Sequence, residues 1–238
     1  MNSSDKMFAE KIYILLAALF ITSLVVSNII FQKFFYWYPF DISIFGQRLF
    51  EISVGLLPYP ITFLITDLIS EIYGRKRANL VVTLGIFASF FSAGIILLGN
   101  VLPAVEYSPI SDYTYQKVFA FSPVAVLASM LAYLLAQFVD IRLYHFWKNL
   151  TNGKMLWLRN NFSTFTSQFI DSITVVGLLC GFGVLNWEVF WGLSISSFIF
   201  KIFIAIIDTP FLYLFVYMFR KRFSLKNGEE IKWNLKND

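Results

Sequence analysis

Ile12–Phe31, read as IYILLAALFITSLVVSNIIF, is a run of twenty residues with no charged side chain. At about 1.5 Å of rise per helical residue, it matches the roughly 30 Å hydrocarbon core of a bilayer. Lys6 and Lys11 precede it, as basic residues precede a secretory leader. The run has full-span length, however, and no small-residue cleavage site follows it, so it reads as a retained first helix.

Five further stretches have the same character, and with the first they predict an all-α membrane bundle of six helices. The expected spans are Ile12 to Phe34, Ile52 to Ile72, Leu80 to Leu102, Pro123 to Phe146, Phe165 to Leu185 and Trp191 to Phe219. The last is long enough to tilt or break, with Pro210 marking the expected bend. Residues 1–222 form the transmembrane domain on this reading, and 223–238 a polar tail that frays without a function of its own.

Composition agrees. Of the 238 residues, 58% are hydrophobic and 14% charged, against about 25% charged in soluble domains. The 28 Phe and 6 Trp suit lipid contact and headgroup anchoring, and the outer loops carry Trp37, Tyr38, Tyr107, Tyr113 and Tyr115 as candidate anchors. The net charge of +4 does not indicate nucleic-acid binding, because the basic residues are scattered in short groups between apolar runs. They read as topology signals instead. With the N-terminus inside, fifteen Lys and Arg fall in inner segments, against only Lys33, Arg48 and Lys117 outside, so both ends are expected in the cytoplasm. A lone cysteine, Cys180, excludes an internal disulfide or a zinc cluster and reads as a packing residue. The one histidine, His145, falls where the fourth span meets a basic loop and reads as interfacial.

The informative residues are polar ones at membrane depth, where each ionisable side chain costs about 2.5–3.5 kcal/mol on insertion scales and therefore turns inward. Asp67 and Glu71 sit four apart in the second span; Asp140 and Asp171 sit in the fourth and fifth; Lys201 and Asp208 sit seven apart in the sixth. Two readings stand. In one, these groups converge with amides on a polar cavity; in the other, Asp67 and Glu71 pair with Arg75, Lys76 and Arg77, and Lys201 pairs with Asp208 as a structural bridge or couples, with Asp140, to protons. The segments AQFVD (136–140) and SQFID (167–171) each set Gln three residues before Asp, a weak internal repeat. Asn28 and Gln32 share a face of the first span and serve either a heterocycle's edge or helix packing. Pro58-Tyr59-Pro60 removes two backbone donors from the second span, which predicts either a local break or a kink.

No phosphate-binding G-x-x-x-x-G-K-[ST] loop occurs, nor H-E-x-x-H, C-x-x-C or G-x-S-x-G. No catalytic group, cofactor or metal is therefore assigned, and the chain is not expected to be an enzyme. A rival reading lets Asp67, Glu71 and Asp171 hold a divalent cation through oxygen ligands.

PITFLITDLISEIYGRKRA, Pro60–Ala78, carries a long P-x-T-F-x-x-[ST]-D-x-x-x-E-x-Y-G-x-K-x-[AS] pattern. With Ser27-Asn28-Ile29-Ile30 and Ser167-Gln168-Phe169-Ile170-Asp171, it resembles the queuosine precursor transporter family of six-span bacterial inner-membrane proteins. The resemblance runs from about Ile12 to Phe219 and implies import of a 7-deazaguanine-type base for tRNA modification. It implies a substrate set of Asn28, Gln32, Thr62, Asp67, Glu71, Gln168 and Asp171. Within that set Asp67 or Glu71 would meet the base's N–H edge, Asn28 or Gln168 its carbonyl, and Asp171 a cationic aminomethyl group. Expected partners are the nucleobase, the bilayer and a second copy of the chain in a homodimer. The alternative is a substrate-binding subunit of an ATPase-energised vitamin-type uptake complex.

Overall fold

The computed structural model describes residues 3–31, 33–36, 42–44, 47–48, 51–119, 123–183 and 185–231. Gln32, Trp37 and Tyr38 from the sequence reading lie outside the described residues. Seven helices are described: α1 Ser3–Ile30, α2 Tyr59–Ile72, α3 Arg75–Val101, α4 Asp112–Val118, α5 Pro123–Leu150, α6 Leu156–Gly181 and α7 Phe190–Phe223. All but α4 lie in segments long and apolar enough to cross a membrane, six in total.

The second span differs most from a plain helix. A 3-10 turn at Val54–Leu56 is followed by a bend, and α2 begins only at Tyr59, with Pro58 as its N-cap and Pro60 in its first turn. Proline is tolerated there because the first-turn N–H groups have no intrahelical acceptor. The proline pair thus produces a break rather than a kink. At 14 residues, α2 is only about 21 Å long. It sits centrally, against α1, α3, α5 and α7. Its span is 65% buried, against 22% for α1 and α3, so protein rather than lipid solvates its polar side chains.

Around α2, α5 packs along α6, α6 along α7 and α1 along α3. The shared core includes Phe20, Leu24, Phe63, Ile69, Ile72, Tyr133, Tyr144 and Leu212. Large apolar side chains on the outside, among them Phe87, Phe91, Leu98, Phe211, Leu214 and Met218, form the surface a bilayer would cover.

Three features depart from the sequence reading. The segment after α1 carries strands that no sequence signal had marked: β1 Phe34–Tyr36 pairs antiparallel with β4 Glu51–Ser53, and β2 Ser43–Ile44 with β3 Gln47–Arg48. The long last span does not break: α7 runs for 34 residues through Pro210, and the Thr209 hydroxyl donates to the Ala205 carbonyl at 3.0 Å in the preceding turn. Of the tail expected to fray, 223–238, the described part ends at Ile231 and is held. Residues 224–231 turn back, and the Ile231 N–H donates to the Ile72 carbonyl at 2.8 Å. An ion pair from Arg222 to Asp5 at 2.8 Å places both ends of the bundle's chain on the same side.

Candidate functional site

The break before α2 opens space. A cavity of about 240 Å³ lies beside the 3-10 turn, between α1, α5, α6 and α7, lined by Ser27, Asn28, Ser53, Ser129, Asp171, Ser197 and Lys201 among apolar residues. Gly55 makes the close approach possible, since a Cβ there would stand 2.6 Å from the Ser27 carbonyl oxygen.

Asp171 of α6 and Lys201 of α7 form an ion pair at the cavity, and Lys201 Nζ also donates to Ser172 Oγ at 3.2 Å. Both are almost entirely buried, at 4% and 7% exposure. Lys201 thus pairs across to α6, not along its own helix with Asp208, because α6 and α7 pack face to face there. Asp208 lines a much smaller pocket of about 20 Å³ with Gln168, Thr164 and Lys201. Asn28 Nδ2 donates to Ser89 Oγ at 3.3 Å, fixing the amide from the α3 side. Ser27 Oγ and Gln168 Oε1 are buried without a hydrogen-bond partner among the described residues. Such groups favour any solute that supplies one, since leaving a buried polar atom unpaired costs about 1–3 kcal/mol.

The other expected residues lie deeper, in two further layers. Thr62 and Gln137 both hydrogen-bond the Tyr133 hydroxyl, Gln137 at 2.7 Å. Asp140 accepts from Ser167 Oγ at 2.9 Å, with Asp67 and Ser163 as its other side-chain neighbours. The two segments of the weak repeat therefore meet directly, Ser167 of one serving Asp140 of the other. Their Gln and Asp residues nonetheless do different things: Gln137 and Asp140 sit in this packed layer, Gln168 and Asp171 at cavities.

Glu71 lies in the last layer, fully buried, paired with Arg220 of α7 and 3.8 Å from Lys148 Nζ of α5. The Tyr144 hydroxyl adds a hydrogen bond at 3.1 Å. Its cationic partners here come from α5 and α7, where the sequence reading had offered Arg75, Lys76 and Arg77. Neither Asp67 nor Glu71 lines the cavity. Among the described residues no three His, Cys, Asp or Glu side chains gather as a metal site, and Glu71 and Asp171 belong to separate clusters. Cys180 is a buried thiol 3.6 Å from the Asn186 carbonyl.

Sequence reasoning missed Ser129, Ser197 and Tyr133, which are ordinary residues in apolar runs. It also missed Lys148, Arg220 and Glu230 as partners of a buried carboxylate. Only the spacing Tyr133, Gln137, Asp140, Tyr144, Lys148, one stripe of α5, carried a signal for that file.

Residues 53–215 match the family described as "Putative vitamin uptake transporter". A Bacillus subtilis (strain 168) protein named "Probable queuosine precursor transporter" is 30% identical over 164 residues, covering 68% of this chain and 70% of that protein. No solved structure matches. The matched region contains the broken second span and both members of the Asp171–Lys201 pair, and the chain belongs to the queuosine precursor transporter family of multi-pass membrane proteins.

Proposed function

We propose that this chain is a carrier, not an enzyme, that brings a 7-deazaguanine-type base across the bacterial inner membrane for tRNA modification, with both termini in the cytoplasm. One observation carries the reading: a charged donor and a charged acceptor, Lys201 and Asp171, stand side by side at a cavity between spans that also presents Asn28 and Ser27. A purine-type base displays an N–H donor next to a carbonyl acceptor, the complement of that pair. Asp171 takes the N–H edge and Lys201 the carbonyl, with Asn28 and Ser27 completing the set. Asp67 and Glu71 pass from substrate contacts to the packed layers below. The family match supports the substrate class, and the excess of Lys and Arg in the segments that share a side with the termini supports the orientation.

The test is uptake of radiolabelled deazaguanine bases by vesicles containing only this chain. Accumulation or equilibration that saturates, and is lost in Asp171→Asn, is the expected result. No uptake without an added ATPase would instead establish the energised-complex alternative. Sedimentation in detergent tests the homodimer that the small six-span size suggests.

A further inference from the structure

At the end of the bundle that holds both termini, α6 and α7 diverge around a cavity of about 520 Å³. Its floor is Leu156 of α6 and Val216 of α7, both buried, and its outer rim is Tyr213 and Tyr217 of α7, exposed at 44% and 62%. The Trp157 N–H donates to the Tyr213 hydroxyl at 2.9 Å and ties the rim to the first turn of α6. The remaining wall is the returning tail, through Leu225 and Asn227, beside the α5–α6 connection at Gly153 and Lys154. Those two segments touch: a Cβ on Gly228 (φ 78°) would stand 2.7 Å from the Gly153 Cα.

The lining is rich in donors and poor in acceptors. Lys154, Arg220 and Lys221 contribute to it, and no Asp or Glu is among the described residues that do. Arg220 donates from Nη2 to Glu71 and from Nη1 to Asn227 Oδ1 at 3.1 Å, while its buried Nε has no hydrogen-bond partner among the described residues. The Tyr213 oxygen accepts from Trp157, which leaves its own proton to donate. Farther along the same two helices the exposed side chains turn apolar, with Phe162 and Phe169 on α6 and Phe211 and Leu214 on α7.

We propose that this cavity is a site for one anionic phospholipid, its phosphodiester held by Lys221, Lys154 and Arg220 and its acyl chains lying on the outer faces of α6 and α7 past Tyr213 and Tyr217. The lining calls for an anion: three cations stand together without a carboxylate in the wall, and a buried guanidinium N–H lacks an acceptor. Phosphate oxygens suit that set, because arginine offers its donors in a planar fork that phosphate matches. The surroundings call for a lipid. The exposed rim is aromatic, as side chains at headgroup level are, and the helix surface beyond it is apolar, so an amphiphile satisfies both parts where a soluble anion satisfies one. Basic pockets between spans at a membrane surface recognise headgroups by this combination. The proposal needs only that the chain spans a bilayer; neither the transported solute nor the orientation enters it. The bound lipid ties the tail and the α5–α6 connection to both helices.

The experiment titrates the full chain, delipidated in a neutral detergent, with phosphatidylglycerol, with phosphatidylcholine of the same acyl chains, and with soluble glycerol phosphate. Native mass spectrometry counts the molecules retained, and a thermal melt reads the stabilisation. One phosphatidylglycerol is expected to bind at least tenfold more tightly than phosphatidylcholine and to raise the melting temperature by about 4 °C. Lys221→Glu reverses a charge in the lining and is expected to abolish that preference, with the lipid-free melting temperature unchanged because the side chain is exposed. Lys226→Glu makes the same reversal at an exposed tail position outside the cavity and keeps the preference. An equal loss in both variants overturns the site, since it marks diffuse attraction between a basic end and an anionic surface. Absence of any preference for phosphatidylglycerol in the parent overturns it directly. A shift as large with glycerol phosphate as with the lipid overturns the lipid assignment and gives the cavity to a soluble phosphate ester.

Discussion

Asp171 with Lys201, and Glu71 with Arg220, are both buried carboxylate–cation pairs bridging α7 to another span. They differ in what surrounds them. The first touches a cavity enclosed between spans, with further polar groups at its wall; in the second the Glu71 carboxylate is enclosed by Arg220, Tyr144 and Lys148, and the open volume nearby lies on the far side of Arg220 and Lys148. Depth and charge alone therefore do not mark a binding site. What sets the proposed site apart is space between the spans that the carboxylate itself lines.

The comparison is sharpest where removing charge is expected to have opposite consequences. Glu71→Ala leaves Arg220 and Lys148 without their shared counter-charge, and a loss of about 3–5 kcal/mol follows; folded protein recovered in detergent is expected to collapse. The double variant Asp171→Asn with Lys201→Met removes both charges together, and such replacements are often nearly neutral for stability. It is expected to fold with an unchanged melting temperature and to lose at least tenfold in uptake. If the double variant transports normally, the distinction between the two pairs breaks. Smaller effects refine it. Ser27→Ala removes one hydrogen-bonding group from the cavity wall, worth about 1 kcal/mol, or a fall of about fivefold in uptake at low solute concentration. Tyr133→Phe, in the packed layer below, is expected to lower stability by a similar amount with less effect on uptake, as read by paired melting and flux measurements. Leu98→Ala, on the outer face, is expected to stay within about 0.5 kcal/mol of the parent.

The helices were legible from apolar run length, because a bilayer imposes a minimum span that few other constraints imitate. Break and burial were legible too: Pro58 and Pro60 cannot continue a helix inward, and Asp67, Glu71, Asp140 and Asp171 are too costly to face lipid. Partner choice was not. Lys201 lies seven residues from Asp208 and thirty from Asp171, and only the rotation of α7 against α6 decides between them. Glu71 and Arg220 are 149 residues apart, a pairing set by three-dimensional packing that no local pattern records. The returning tail, residues 224–231, escaped for a related reason. Its sequence is polar and short, which is how loose ends also look, and its partners, the Ile72 backbone and the side chains of Lys148 and Arg220, lie far away in sequence or carry no local pattern.

The enclosed position of α2 also bears on how the protein is made. A segment among the least apolar of the six, carrying two carboxylates and two prolines, partitions poorly into lipid by itself. Its neighbours in sequence, α1 and α3, are much more apolar and both pack against it. Insertion of α2 is therefore expected to be cooperative with its neighbours, its polar face sheltered once α3 has emerged beside it.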